Sequence, residues 1–497
     1  MSWWMSPKTF PLRIFLIALV VRLVPVLIMR NVGIGLDDMY QYDMLARSIA
    51  SGNGYRWYAE TDLPTVLPYL KLDLSSVNYD PRGVLTSFRP PLYPTFLALI
   101  YLVFGTGAHR FIFARIFQAM LGALLAPMTF TLAKKLFPNR EPAARLSAWI
   151  ITLYPMLVVY PLSLATENLF FILVLGSIIS LLKAKESLEV ANRGQGSFGV
   201  FFDKYGWFIL SGLLLGLTCL TRSVAQVFAL LAVAWVWLFL KERGKAVIIL
   251  LTTGLVVVPW IVRNSILYKS FTGIETALSY DLYLGYNPKG TGTFQYPQSL
   301  DLMTIVNDTQ RDKVGIQDTI GFIKADPGRV VYLFFRRAGY FFGLERRALT
   351  YFYSNDLFGN IPSPILGGIF ALFCLPFIII AVSGAASLPM ITWQKGTWLT
   401  GLFFIGYIVP HLLIIAEDRF HLAIVPLLAI LAAQFWLGDR LAIRQQWAKS
   451  NASKVGLILA FVAILLILSN WGLELWRDVD KLALLFGPNG NQTYFSY

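Results

Sequence analysis

Cysteine is almost absent from this chain: only Cys219 and Cys374 occur, each inside an apolar run, which excludes a disulfide framework and a thiolate metal site. Histidine is nearly as scarce. His109, His411 and His421 stand far apart and have no metal-ligand spacing, so no histidine-based metal centre is expected. Charged residues make up 14% of the 497 positions against 56% hydrophobic ones, and a mean hydropathy of +0.61 lies outside the range of a soluble globular domain. What abounds is apolar sequence in runs near the ~20 residues that carry a helix across a ~30 Å hydrocarbon core. The alternation of about ten residues that marks a membrane β-strand does not describe these runs, so the spans are helical. The net charge of +14 is what basic cytoplasmic loops produce in a multi-span protein, and no nucleic-acid partner is expected. The N-terminal MSWWMSPKTFPLR leads into a run too long for a signal-peptide core and without a small-residue cleavage site, so it reads as an uncleaved first span.

Basic residues orient the chain. The gap 134–145 carries Lys134, Lys135, Arg140 and Arg145, and the gap 183–206 carries Lys183, Lys185, Arg193 and Lys204. The turn KERGK supplies Lys241, Arg243 and Lys245, and 439–454 supplies Arg440, Arg444, Lys449 and Lys454. The positive-inside rule puts all four gaps on the cytoplasmic side. If the first span (about 11–30) leaves the cytoplasm and the second (about 111–133) returns, RPPLYPTFLALIYLVFG at 89–105 cannot also cross. It reads as an interfacial or re-entrant helix on the outer side, opened by a Pro-Pro pair. DDMYQYDMLARSIASG reads as a short amphipathic helix, with Met39, Tyr42, Leu45 and Ile49 on one face and Gly52 and Gly54 at its end. Further spans are expected at about 146–161, 167–183, 207–221, 224–240, 246–262, 362–385, 397–415, 421–438 and 455–472, giving about eleven. The expected organisation is a membrane module at 1–265 with a first outer loop at 31–110, an outer region at 266–361 and a C-terminal set of spans with an outer tail at 362–497. Within the outer region, VVYLFFRRAGYFFGLERR reads as an interfacial stretch.

This topology collects the chemically useful residues on the outer face. Asp37 and Asp38 follow the first span, Arg89 opens the interfacial helix, Glu167 heads a span, and Arg222 interrupts an apolar run at the apex of a helical hairpin. Each has an ordinary structural explanation: a solvated loop start for the aspartate pair, with Asp38 as a cap of the short helix that begins there, a dipole-compatible cap for Glu167, and a snorkelling or hairpin-tip side chain for Arg222. Taken as a set they offer a base together with cations for a phosphate, which sugar transfer from a lipid phosphate requires.

The pattern DDxYxYxxxAxxIAxGNGY at 37–55, RPPLYP at 89–94, an apolar helix ending in a basic turn, and TEN at 166–168 resembles glycosyltransferase family 39-like members of the GT-C superfamily, relatives of the protein O-mannosyltransferases and the bacterial aminoarabinose transferase. The resemblance implies an all-α polytopic GT-C fold with two juxtamembrane helices in the first extracytoplasmic loop. It implies a catalytic aspartate at the position of Asp37, with Asp38 the alternative, and a second acid at Glu167. Arg89 stands where a relative has lysine, as a cation for the donor phosphate, and Arg222, Arg336 and Arg337 are further phosphate-binding candidates. The implied activity is inverting transfer of a sugar from a polyprenyl-phosphate donor to an acceptor hydroxyl on a protein, lipid or glycan, at the outer face of the cell membrane. No cofactor is expected and a divalent metal is not indicated. The alternatives are a transporter or lipid flippase, which would hold ionisable residues in mid-span or paired broken helices, and a non-catalytic scaffold.

Overall fold

The computed structural model describes residues 7–191, 205–354, 356, 359–438, 445 and 447–492. Arg193, Lys204, Arg440 and Arg444, counted above for orientation, lie outside the described residues. The protein is an all-helical multi-pass membrane protein; among the described residues, strand is confined to an antiparallel pairing of Arg56–Trp57 with Val84–Leu85 in the first loop. Seven helices are long and apolar enough to cross a membrane, and the Glu141–Leu153 and Pro155–Leu162 pair, bent by 54°, makes up to eight. The expected spans at 207–221, 224–240 and 421–438 are shorter apolar helices, Trp207–Thr221, Ala225–Leu238 and Val425–Trp436. Their shortness has local causes. The first two are separated by extended backbone at Arg222, and the third follows a 3-10 turn over Asp418–Ala423.

The 89–105 segment folds as Leu92–Phe104, whose 13 residues rise about 20 Å and fall short of a hydrocarbon core. Gly105 ends it at φ 83, a conformation that favours glycine. One face of this helix, with Tyr93, Leu97 and Tyr101, packs on Met39, Tyr42 and Ala46 of the Asp38–Ala50 helix, while Leu99, Leu102 and Val103 stay exposed. Two helices therefore lie side by side in the first loop.

Close helix packing rests on small residues. Gly212 and Gly216, four apart on Trp207–Thr221, face the Arg243–Tyr268 helix so tightly that a Cβ at either would fall 1.8 Å from Thr252 Oγ1 or 2.6 Å from Val256 Cβ. The Thr253 hydroxyl donates to Gly212 O across this contact at 3.0 Å. The bend near Tyr154 is served by a charge inside the first span: Pro155 has no N–H for Ile151 O, and the buried Arg22 supplies the donor at 2.9 Å, with a second bond to Thr152 O at 3.3 Å. This mid-span arginine meets backbone carbonyls and lines neither of the two large cavities described below. The two ends of the bundle differ in character. Lys135 pairs with Glu186 at 2.6 Å, and Trp235 Nε1 donates to Lys395 O at 2.8 Å at the end where the basic turns gather. The candidate acids and arginines meet at the other end.

Candidate functional site

That other end encloses a cavity of about 330 Å³. Its wall combines parts of the chain remote in sequence: Asp38 and Tyr42 from the first loop helix, Arg89, Glu167 at the head of its span, Arg222 at the helix break, Glu275 and Asp281, His411, and Arg419. Buried Asp308 locks the first loop to the 266–361 region, accepting from Thr86 Oγ1 at 2.8 Å, Ser87 N at 2.7 Å and Tyr268 OH at 2.8 Å. The Thr276 N–H donates to Ser87 O at 3.0 Å, which sets Glu275 and the Ala277–Tyr286 helix beside Arg89.

The two aspartates divide. The cap falls on Asp37 and not, as expected, on Asp38: Asp37 is the N-cap of Asp38–Ala50, accepts the Met39 N–H at 2.9 Å and does not line the cavity. Asp38 does line it. One carboxylate oxygen takes Arg89 and the other takes Arg419 at 3.0 Å. Burial alone would raise Asp38, but the guanidinium groups of Arg89 and Arg419 outweigh it and hold the carboxyl below the usual carboxylate range. Arg89 is further fixed by Gln41 Oε1 at 2.8 Å and lies over the Tyr42 and Phe88 rings at 5.4 and 5.0 Å. Glu167 pairs with Arg222 at 3.0 Å, so the sequence-predicted second acid and the hairpin arginine meet each other inside the cavity.

Of the arginine pair at 336–337, neither reaches this cavity. Arg337 is buried within Gly328–Phe341 and donates to Gly285 O at 2.6 Å, Leu413 O at 2.9 Å and Leu412 O at 3.2 Å, so the expected phosphate ligand is a backbone clamp. Arg336 points to a different cavity. The sequence reading in turn missed Arg419, Glu275, Asp281 and His411. Glu275 accepts from the Ser223 hydroxyl and is raised by burial. Asp281 is pushed up to about 8 by burial and by the neighbouring charge of Glu275, with Arg89 acting against both. Arg419 joins the site to its surroundings: beside its bond to Asp38, its Nε lies 2.7 Å from Glu417, which Arg347 also holds at 2.6 Å.

The cavity is amphipathic. Three guanidinium groups, Arg89, Arg222 and Arg419, face inward, while the lining residues Val227 and Leu278 are 41% and 48% exposed and open its edge to the apolar perimeter. Among the described residues no group of three His, Cys, Asp or Glu side chains is placed to hold a metal ion.

Solved structures with a similar helical arrangement include the oligosaccharyltransferase of Archaeoglobus fulgidus in its apo form, at 13% identity and a TM-score of 0.49, with 100% of this chain and 61% of that one covered. ArnT from Cupriavidus metallidurans matches in its apo state, at 15% identity and a TM-score of 0.47 over 89% of this chain and 62% of that one. The same protein bound to undecaprenyl phosphate matches at 14% identity and a TM-score of 0.47 over 98% and 75%. The chain thus spans about three fifths of the length of the first two. No curated protein matches the sequence. Residues 98–273 match the family model "Dolichyl-phosphate-mannose-protein mannosyltransferase". Over that segment the chain bears out its resemblance to the glycosyltransferase family 39-like members of the GT-C superfamily.

Proposed function

We propose that the protein is a membrane glycosyltransferase that takes a sugar from a polyprenyl-phosphate donor and passes it, with inversion, to an acceptor hydroxyl at the extracytoplasmic end of the bundle. The observation that carries this reading is the pairing of three inward guanidinium groups with an apolar, perimeter-facing edge in one cavity, which suits an amphiphile with a phosphate head. The matching family model is described by a dolichyl-phosphate sugar donor, the same chemical class. In the reaction the acceptor oxygen bonds to the anomeric carbon as the bond from that carbon to the phosphate oxygen breaks. The electron pair leaves on the lipid phosphate, held by Arg89, Arg222 and Arg419, and the hydroxyl proton passes to Asp38. Donor binding itself prepares this base. A phosphate that draws Arg89 and Arg419 away from Asp38 removes the charges that depress it, and burial then raises its affinity for a proton. Transfer to water instead of an acceptor uses the same groups.

The test is to incubate the purified protein with radiolabelled polyprenyl-phosphate sugar and follow release of polyprenyl phosphate; no release with any acceptor, or none beyond the uncatalysed rate, refutes the reading. Sidedness is checked with single cysteines at Lys71 and Gly107, both exposed, in cells. Both are expected to react with an impermeant thiol reagent applied outside, and reaction of only one would mean that the chain between them crosses the membrane.

Asp281 gives this site a pH dependence. Its carboxyl, at about 8, is mostly protonated at neutral pH and ionises as the pH rises, adding a negative charge beside Glu275 and Asp38 and opposite Arg89 and Arg222. Donor KM is therefore expected to rise several-fold between about pH 7 and pH 9, and Asp281→Asn is expected to flatten that limb. A limb that persists in Asp281→Asn assigns it to another group.

A further inference from the structure

Arg336 lines a second cavity of about 360 Å³, separated from the first by the Glu417–Arg419 strip, whose Arg419 faces the first cavity and whose Glu417 and Asp418 face the second. We propose that Arg336, Tyr340 and Arg477 form a second phosphate site, separate from the Arg89 cavity, that receives the anionic headgroup of a phosphorylated lipid.

The cavity wall carries five cations, Arg336, Arg346, Arg347, Arg477 and Lys481, against four carboxylates, and the carboxylates are unevenly distributed. Glu417 is held by Arg347 at 2.6 Å and by Arg419 at 2.7 Å. Glu474 takes Arg346 at 2.8 Å and the Leu344 N–H at 3.0 Å, and Asp478 takes Arg346 at 2.5 Å. Arg336, by contrast, has no carboxylate partner among the described residues; it donates only to neutral phenols, from Nε to Tyr340 OH at 3.0 Å and from Nη1 to Tyr332 OH at 2.5 Å. Among the described residues, the one ion pair of Arg477 within 4 Å is to the far oxygen of the already paired Asp478, at 3.5 Å. Both guanidinium groups lie over the same Tyr340 ring, at 5.7 Å for Arg336 and 5.5 Å for Arg477. Two like charges gathered around one ring repel, and an anion in the cleft that both line would offset that repulsion with charge-assisted hydrogen bonds. An adjoining cleft of about 140 Å³ is lined by the same two arginines, Tyr340, Asn470 and Glu474; the Glu474 carboxylate is already held by Arg346 and the Leu344 N–H, which leaves the two arginines to meet the oxygens of a phosphate.

The surroundings select a lipid over a soluble ligand. Phe335 is 69% exposed, Leu473 62% and Trp476 76%, next to the two arginines in sequence or one turn away. An apolar fringe with tryptophan and arginine side by side is what a protein presents at the membrane–water interface, where phosphate headgroups lie. The site uses none of the residues assigned above to the donor, so it stands or falls separately from the proposed transfer.

The experiment uses the purified full chain in detergent, with dioleoyl phosphatidic acid as probe, dioleoyl phosphatidylcholine as control and retained lipid read by native mass spectrometry. Phosphatidic acid retention that survives Arg89→Gln, exceeds that of phosphatidylcholine and weakens at least ten-fold in the Arg336→Gln, Arg477→Gln double variant supports the site. The single variant Arg477→Gln, at an exposed position, is expected to give an intermediate loss without a change in melting temperature, which separates ligand loss from misfolding. Inorganic phosphate is the second arm: displacement of the lipid only at large molar excess supports a headgroup, and displacement at equal concentration assigns the site to free phosphate. Retention that is the same in wild type and double variant, or lost only in Arg89→Gln, overturns the proposal.

Discussion

Asp38→Asn is expected to lower the turnover of sugar transfer at least a hundred-fold while leaving donor KM unchanged or lower. The amide keeps the size of the carboxylate but accepts no proton, and loss of a positioned base costs on the order of 10²–10⁴ in rate. The direction of the KM change follows from the ion pairs. Arg89 and Arg419 both spend the resting state on Asp38, and an asparagine competes with a donor phosphate for them less strongly than a carboxylate does. Asp37 is the built-in control, because it stands next to Asp38 and serves a different purpose. Asp37→Asn preserves an N-cap acceptor and should leave kcat near wild type, whereas Asp37→Ala should lose about 1 kcal/mol of helix capping and register in melting temperature. The measurement is kcat and KM for release of polyprenyl phosphate in all three variants. A normal kcat for Asp38→Asn, or a larger loss in Asp37→Asn, would remove Asp38 from the mechanism.

The contrast between these neighbours marks how far the sequence could be read. Short-range features were legible: the Met39, Tyr42, Leu45 and Ile49 stripe specifies a helix and Gly52 and Gly54 stop it at φ 75 and 81, while Arg222 inside an apolar run specifies a break. The set Asp37, Asp38, Arg89, Glu167 and Arg222 was read as residues of one membrane face, and the structure brings all but Asp37 to the lining of one cavity. Which aspartate caps and which lines the cavity depends on one helical step of about 100°, and a pair of adjacent carboxylates does not encode its own phase. The same step separates Arg336 from Arg337. Arg419 was illegible for another reason: it reaches Asp38 across 381 residues, with no local pattern to announce the contact. Asp281 lies on a short helix whose role depends on Asp308 fastening the first loop to the outer region, again a pairing that periodicity does not reveal.

Arg337→Met is expected to cost about 3 kcal/mol of stability, because it strips donors from buried carbonyls at the junction of three helices and each such loss is worth about 1–3 kcal/mol. Arg337 ties Gly285 O, near the end of Ala277–Tyr286, to Leu412 O and Leu413 O, at the end of Lys395–Leu413. These are helix-terminal carbonyls with no intrahelical donor to fall back on. Leu413 O keeps the Tyr286 hydroxyl at 2.8 Å, so the full loss falls on the other two. The junction is also sterically tight: a Cβ on Gly285 would lie 2.0 Å from Ile414 O, so the two helix ends approach as closely as backbone allows. Methionine keeps the apolar stem and removes the buried charge, so the effect is that of the missing hydrogen bonds and of the guanidinium's contact with the Tyr286 ring, 4.4 Å away. Because Asp281 precedes Gly285 by one helical turn and His411 precedes Leu412, loosening the clamp moves two residues of the donor cavity. The melting temperature of the purified protein should therefore drop by several degrees and donor KM should rise, while Arg336→Met, one residue away and facing the second cavity, should change neither. Equal melting of the two variants would mean that the three carbonyls are satisfied some other way, and that the clamp does not hold the cavity in shape.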